Sequence, residues 1–511
     1  MQDTEQEYQK QIKELEQQVR LLREQVDFLT RKLYGTKSEK TSALEIEGQM
    51  SLFNEMESCA EPDAHEPDLV EVEKYLRKRK YAGQREKLIK DIPRSKVLHT
   101  IDESEQICER CGGTMVKVGE EFVRTEVQFI PASLKVVDHY RETYECRACR
   151  KNGTPYMEKS PVPHPPVMHS LASASTIAWL VHQKFELGIP LYRQEKEWEA
   201  MGLSLSRATM SNWLLAVCRD WLSHVVSHLR RELLKQGYLH IDETHVQVLK
   251  EPGRKNTSDS YMWVYCSTRD SKRPVRYFEY QPGRGGKYPE TFLKGYTGYI
   301  HTDAYSGYNG VKGVTRCLCY THLRRAFVDA LPKDIHGPEA SKPAEAVIRL
   351  NKLFEIEKEL DGLPPEQKKK ERLDREKPLL EAFWSWAEIS SAGELPKSKL
   401  HTAFQYALNN RKEFFNYLGD GNCSISNSLA ENCIRPFVIG RKNWLFAGSP
   451  KGAAASAGIY TLVETAKANG LDAMKYIKYI LADMPGSRFL ENPEYLDDYL
   501  PWDPMVQERC R

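Results

Sequence analysis

Between residues 238 and 320 the chain carries a fixed succession of β-type runs, and these constrain the fold more than any other feature. Tyr238-Leu-His-Ile-Asp-Glu-Thr-His-Val-Gln-Val-Leu249 comes first, then Tyr261–Cys266 and Val275–Tyr280. Turn-rich segments separate the three, which suits antiparallel pairing of neighbours. Thr297–Asp303 and Arg316–Tyr320 follow, and a helix is expected through His322–Leu331. An antiparallel meander that gives way to strand–helix alternation predicts an α/β domain. Residues 343–418 read as helical, highly charged and interrupted at Pro364-Pro365, so they are expected to form an insertion in that domain.

Acidic residues punctuate this pattern. Asp242 and Asp303 each lie at or near the end of an apolar strand, where a carboxylate packs poorly and ligates a metal well. Glu431 lies in Ser426–Pro436, read as a short helix ending at Pro436. Three carboxylates suit phosphodiester chemistry. The attacking hydroxyl must be deprotonated and the leaving oxygen stabilised, which two Mg²⁺ ions on hard oxygen ligands do together. Asp at a strand end also serves as a turn former or helix cap, so the triad needs support from its surroundings. Glu243 is a competing carboxylate, but strand alternation directs it to the face opposite Asp242.

Cys108-Glu-Arg-Cys111 and Cys146-Arg-Ala-Cys149 form two C-x-x-C knuckles among twelve cysteines. Paired knuckles can complete a tetrahedral zinc site, whereas a redox C-x-x-C needs no second pair. Alternation in Glu121–Ile130 suggests a β-hairpin between them. Toward the N-terminus, Ile12, Val19, Val26 and Leu33 interleave with Leu15, Leu22 and Leu29 at heptad spacing. β-Branched residues at one position and Leu at the other favour a two-stranded coiled coil, hence a homo-oligomer, over a single docked amphipathic helix.

Lys plus Arg total 74 and Asp plus Glu 72, so the net charge of +2 carries no global nucleic-acid signature. Locally, Lys74–Lys96 is strongly basic and includes Arg77-Lys-Arg-Lys80. Such a run serves phosphate binding or a solvated linker equally well. A helix–turn–helix candidate spans Pro190–Val217, with its turn at Met201-Gly202-Leu203 and Ser206 as N-cap. Arg207, Thr209 and Ser211 near the second helix's start are its candidate DNA contacts. The N-terminal Met1–Lys10 is polar and no window offers a membrane span, so a cytoplasmic, nucleoid-associated protein is expected. The expected organisation is a coiled coil over 1–40, a linker and basic segment over 41–100 and a zinc module over 101–152. A helical DNA-binding region over 165–235 follows, then a catalytic core over 236–458 with its insertion near 333–420, and a helical end over 459–511.

Several stretches together resemble the insertion-sequence transposases of family sixty-six, a DDE group with a ribonuclease-H-like core. They are His240-Ile-Asp-Glu-Thr244, Thr302-Asp-Ala-Tyr-Ser-Gly-Tyr308 and Cys319-Tyr-Thr-His-Leu-Arg-Arg325, with Ile439-Gly-Arg-Lys-Asn-Trp-Leu-Phe-Ala-Gly-Ser449 and Ile459–Gly470. The resemblance extends to the zipper and to the zinc module. It implies a bacterial DDE transposase that cleaves 3′ ends and transfers strands, with Asp242, Asp303 and Glu431 holding Mg²⁺ or Mn²⁺. It also implies structural Zn²⁺ on Cys108, Cys111, Cys146 and Cys149, double-stranded DNA as partner, and small companion proteins. The family's pattern has an acidic residue where Ser426 stands and a cationic one where Asn432 stands. His322, Arg324, Arg325, Arg435, Arg441 and Lys442 are candidate DNA contacts, while Trp444 and Phe446 are expected to pack in the core. The competing reading is a DNA-end-binding dimer that has lost catalysis and acts as a repressor. The carboxylate triad separates the two, because binding alone needs none.

Overall fold

The computed structural model describes residues 133–153, 157–332 and 341–511. The heptad run, the basic stretch, Cys108, Cys111 and the alternating Glu121–Ile130 segment lie outside them. Strands β1 (Thr143–Glu145) and β2 (Met157–Lys159) pair antiparallel on either side of the second cysteine knuckle. The short helix Arg147–Lys151 begins just after Cys146.

The core is a mixed sheet in the order β5-β4-β3-β6-β7. Its strands are β3 (Tyr238–Val248), β4 (Asp259–Ser267), β5 (Arg276–Gln281), β6 (Tyr299–Thr302) and β7 (Thr315–Leu318). β3–β4 and β4–β5 run antiparallel, whereas β3–β6 and β6–β7 run parallel. This is the mixed α/β arrangement expected from the order of the runs. A short strand, β8 (Phe446–Ala447), joins the far end of β3 in parallel.

Met262 through Cys266 of β4 are buried without alternation, because helices cover both faces of the sheet. The helix Pro450–Ala468 also closes the β5 edge. Phe278 and Arg276 donate their amide N–H groups to Thr461 Oγ1 and Thr465 Oγ1 at 2.8 and 3.0 Å. Side chains thus pair backbone donors that an exposed sheet edge would present for aggregation.

The expected insertion is helical over Lys342–Glu359, Pro365–Glu371, Lys377–Ser391 and Lys399–Asn409, and Pro364 marks its interruption. It has its own core, in which Leu323 and Phe327 of the helix Tyr320–Val328 pack with Phe383, Trp384 and Phe404. The helix that bears His322 is therefore clamped by the insertion.

One helix end differs from expectation. The helix carrying Glu431 runs Ser428–Trp444 straight through Pro436. A proline costs one backbone hydrogen bond and crowds the preceding turn. Here Ile434, Phe437 and Gly440 are buried along the helix, and this burial outweighs that cost. The helix instead stops at Leu445, whose φ of 65° breaks the helical path.

Candidate functional site

Pairing leaves a gap beside β3. Its parallel register with β6 ends at His240↔His301, and its pairing with β8 begins only at Gln247. Between these points one side of β3 has no strand neighbour among the described residues, and Asp242 sits there, within the strand rather than at its end as expected. Asp303 directly follows β6, where the chain leaves the sheet, and its Oδ1 accepts the Tyr305 N–H at 3.0 Å. Glu431 projects from the first turn of Ser428–Trp444. Carboxyl ends of parallel strands at such a branch are where open α/β sheets place ligands.

Asn427, which precedes that helix, was not singled out as a site residue in the sequence. It is 1% exposed. Its Nδ2 donates to the Ile241 carbonyl at 2.8 Å, and its Oδ1 lies 3.1 Å from His240 Nδ1. Its backbone N–H donates to Cys319 Sγ at 3.1 Å. Asn427 thus ties the Asp242 strand, the Glu431 helix and the His322 helix together. Replacing it with Leu is expected to cost about 2–3 kcal/mol, since buried polar groups on both sides lose partners. Thermal melting beside wild type would measure this.

The carboxylates sense one another. Burial, then the charges of Glu243, Glu431 and Asp303, push Asp242 from the usual 3.8 up to about 7, against a hydrogen bond from the Glu243 N–H. Glu431 Oε1 and His322 Nδ1 lie 3.7 Å apart, both buried and without a hydrogen-bond partner among the described residues. The nearby Cys319 sulfur chiefly raises His322 to about 9; Glu431 and Asp303 add to it and burial opposes it. Three hard oxygen donors around a crowded negative centre suit a divalent cation of the Mg²⁺ type.

Glu243 is spent elsewhere. Its oxygens accept from Arg284 Nε at 2.6 Å and from the Tyr308 hydroxyl at 2.5 Å. Arg284 also approaches Asp303 Oδ2 at 3.7 Å and stacks on the Tyr305 ring at 3.9 Å. Sequence reading overlooked this arginine, although Gly283-Arg-Gly-Gly286 signalled a tightly packed loop. A Cβ on Gly286 would come within 2.6 Å of the Gly307 carbonyl oxygen, so the loop packs directly on the Asp303 turn.

The candidate DNA contacts are scattered. Arg325 lines a cleft of about 290 Å³ with Asp303, Tyr305, His322 and Tyr406. Arg324 turns away and donates to Asn351 Oδ1 of the insertion at 2.6 Å. Arg435 is exposed one helical turn beyond Glu431. Arg441 donates to Thr244 Oγ1 at 3.1 Å and to the His245 carbonyl, while Lys442 is half-buried.

The helix pair at Leu191–Ala200 and Arg207–Val217 forms as expected, with Ser206 capping Thr209 N–H and Gly202 at φ 90° in the turn. Arg207 is exposed, whereas Thr209 and Ser211 are half-buried and the Thr209 hydroxyl pairs with Ser206 Oγ at 3.0 Å. Trp444 is half-buried with Lys184 Nζ 4.0 Å from its ring. Phe446 is not core: it lies on the short strand β8 and is 42% exposed.

Comparison with known proteins identifies the family. Residues 169–455 match the profile described as Transposase IS66 family. Residues 105–150 match the zinc-finger binding domain of transposase IS66, and 21–97 match Transposase C of IS166 homeodomain. The chain is 27% identical over 505 residues to uncharacterized protein y4hP of Sinorhizobium fredii (strain NBRC 101917 / NGR234), covering 94% of this chain and 87% of that one. It is 26% identical to uncharacterized protein y4jD of the same strain, covering 96% of each. No solved structure matches it significantly. With more than half its length inside the first profile, this chain belongs to the IS66 family of DDE transposases.

Proposed function

We propose that the chain cleaves and joins DNA at a divalent-metal centre formed by Asp242, Asp303 and Glu431. The observation that carries this reading is the convergence of three carboxylates on the open side of β3, where their mutual repulsion helps hold Asp242 near 7. The buried Glu431 Oε1, without a hydrogen bond among the described residues, fits such a ligand. Bound Mg²⁺ or Mn²⁺ would activate a water or 3′-hydroxyl and stabilise the leaving oxygen. The chain's own groups do the rest. Asn427 fixes the spacing of Asp242 and Glu431, and Arg284 neutralises Glu243 while facing Asp303. Arg325, on the cleft wall, suits a phosphate oxygen. Arg435 and Arg207 extend the cationic surface available to DNA.

Zinc on Cys108, Cys111, Cys146 and Cys149 would hold the end-recognition module, and the heptad segment would pair two copies on two element ends. Companion proteins and a nucleoid location follow from the same reading. The retained contacts of Asn427, between the altered positions Ser426 and Asn432, favour an active enzyme over a repressor.

A duplex bearing the element's terminal sequence, incubated with protein and Mg²⁺, tests the reading. Nicking at the 3′ end followed by joined product is expected. Binding without either product, with companions and Mn²⁺ supplied, would contradict it and leave the DNA-end-binding dimer.

A pH effect follows from the same carboxylates. The folded Asp242 carboxyl holds its proton more tightly than the unfolded one, so metal-free stability falls as pH rises from about 4 through about 7. Asp242→Asn is expected to recover roughly 2–4 kcal/mol of this at pH 8 and little at pH 4. Mg²⁺ should raise the melting temperature of wild type but not of the variant. Scanning calorimetry at both pH values, with and without Mg²⁺, reads both effects.

A further inference from the structure

A second donor cluster lies in the core, and it is chemically unlike the carboxylates. His301 of β6 and Cys317 of β7 are directly paired in the parallel register. Cys423 reaches them from the segment that leads to Asn427 and Glu431. The three are 2%, 1% and 2% exposed, and their ligating atoms all lie within 4.8 Å of one another.

The imidazole is oriented as a metal ligand would be. Its Nε2 accepts the Ser424 N–H at 2.9 Å, so the proton resides on Nδ1, which faces the Leu239 carbonyl at 3.3 Å. Metal-binding histidines characteristically donate their second ring N–H to a backbone carbonyl in this way. His240 stacks on the same ring, with centroids 4.4 Å apart, and Asn427 fixes His240 in turn.

We propose that His301 Nε2, Cys317 Sγ and Cys423 Sγ bind one soft, thiophilic cation, Zn²⁺ or Cu⁺. Thiolate and imidazole ligands select these cations over Mg²⁺. With metal–sulfur bonds of about 2.3 Å and metal–nitrogen bonds of about 2.0 Å, the donors need to close by roughly 1 Å. The Ser424 N–H gives up its bond to Nε2, and two thiol protons leave to solvent with Zn²⁺ or one with Cu⁺. The charges then sum to zero in either case, so the core gains no uncompensated ion. The cation would tie β6, β7 and the segment before Glu431 at one point, two residues from Asp303. It is separate from the zinc module and from the carboxylate centre.

The test counts metal on the full-length chain. Wild type, Cys317→Ser/Cys423→Ser and Cys218→Ser, a buried cysteine outside both clusters, are loaded with Zn²⁺, or anaerobically with Cu⁺, dialysed and analysed by plasma emission. The double variant should carry one equivalent less than wild type with whichever cation binds, and Cys218→Ser should match wild type. With Co²⁺ as probe, the difference spectrum between wild type and the double variant should show thiolate-to-cobalt charge transfer. Equal metal content in the folded double variant overturns the proposal, as does a Cys317–Cys423 disulfide in metal-free protein as isolated. Should the double variant not fold, a chain with Cys108, Cys111, Cys146 and Cys149 all changed to Ser decides. One retained equivalent with the charge-transfer band supports the site, and none overturns it.

Discussion

Replacing Glu431 with Gln is expected to lower strand joining by at least about 10³, because losing several kcal/mol of metal-borne transition-state stabilisation costs a decade per 1.36 kcal/mol. The substitution keeps shape and removes charge. Glu431 Oε1 has no hydrogen-bond partner among the described residues and only His322 as an ion-pair partner, 3.7 Å away and partly exposed, so little of the fold depends on it. Metal-free stability should therefore hold steady, and end binding in a gel shift should be unchanged. Asp242→Asn should lose a comparable amount of activity while gaining metal-free stability at high pH. That opposition separates a metal ligand from a structural carboxylate, whose loss would lower both. A rate within tenfold of wild type in either variant would remove that residue from the reaction.

Arg372→Met is expected to cost the insertion about 3–5 kcal/mol, the usual penalty for breaking a buried ion pair from one side. Arg372 is fully buried and donates to both oxygens of Glu357, through Nε at 2.5 Å and Nη2 at 3.0 Å. It also reaches the Asp420 and Cys423 carbonyls at 3.1 and 2.8 Å. Met fills similar volume but leaves Glu357 with Lys368 alone, 3.3 Å away. Nearby Glu376, raised to about 8 chiefly by burial and then by the Glu357 charge, loses a compensating cation. Because residues 420–423 lead toward Glu431, the damage should spread to activity. Hydrogen exchange across 342–423 is the suitable measurement, since a chain with two cores need not unfold in one step. Protection unchanged over the helices Lys342–Glu359 and Lys377–Ser391 would refute the assignment.

The strands were legible because they are rich in β-branched and aromatic residues and bounded by turn formers. Their order announced an α/β domain, and Asp303 could be placed at or near the end of its strand without coordinates. The proline at 436 misled because its local cost is visible in sequence and the buried face that outweighs it is not. Asn427 was illegible for a related reason. Its side-chain partner, the Ile241 carbonyl, lies 186 residues away, and no local pattern marks a polar residue that will bridge two elements. Arg284 was hidden among glycines that spoke only of a turn. Thr461 and Thr465 read as ordinary helix positions until β5 was found beside them. The heptads, the basic run and the first knuckle lie outside the described residues, so the family profiles over 21–97 and 105–150 carry those modules.

Bound Mn²⁺ counted by electron paramagnetic resonance is the most direct measure of the carboxylate centre. Wild type, Asp242→Asn and Glu431→Gln would be titrated in complex with an element-end duplex, with zinc content checked in each. The account predicts saturable Mn²⁺ on wild type that both variants lose, with zinc unchanged. The same Mn²⁺ stoichiometry and affinity in all three proteins would contradict it.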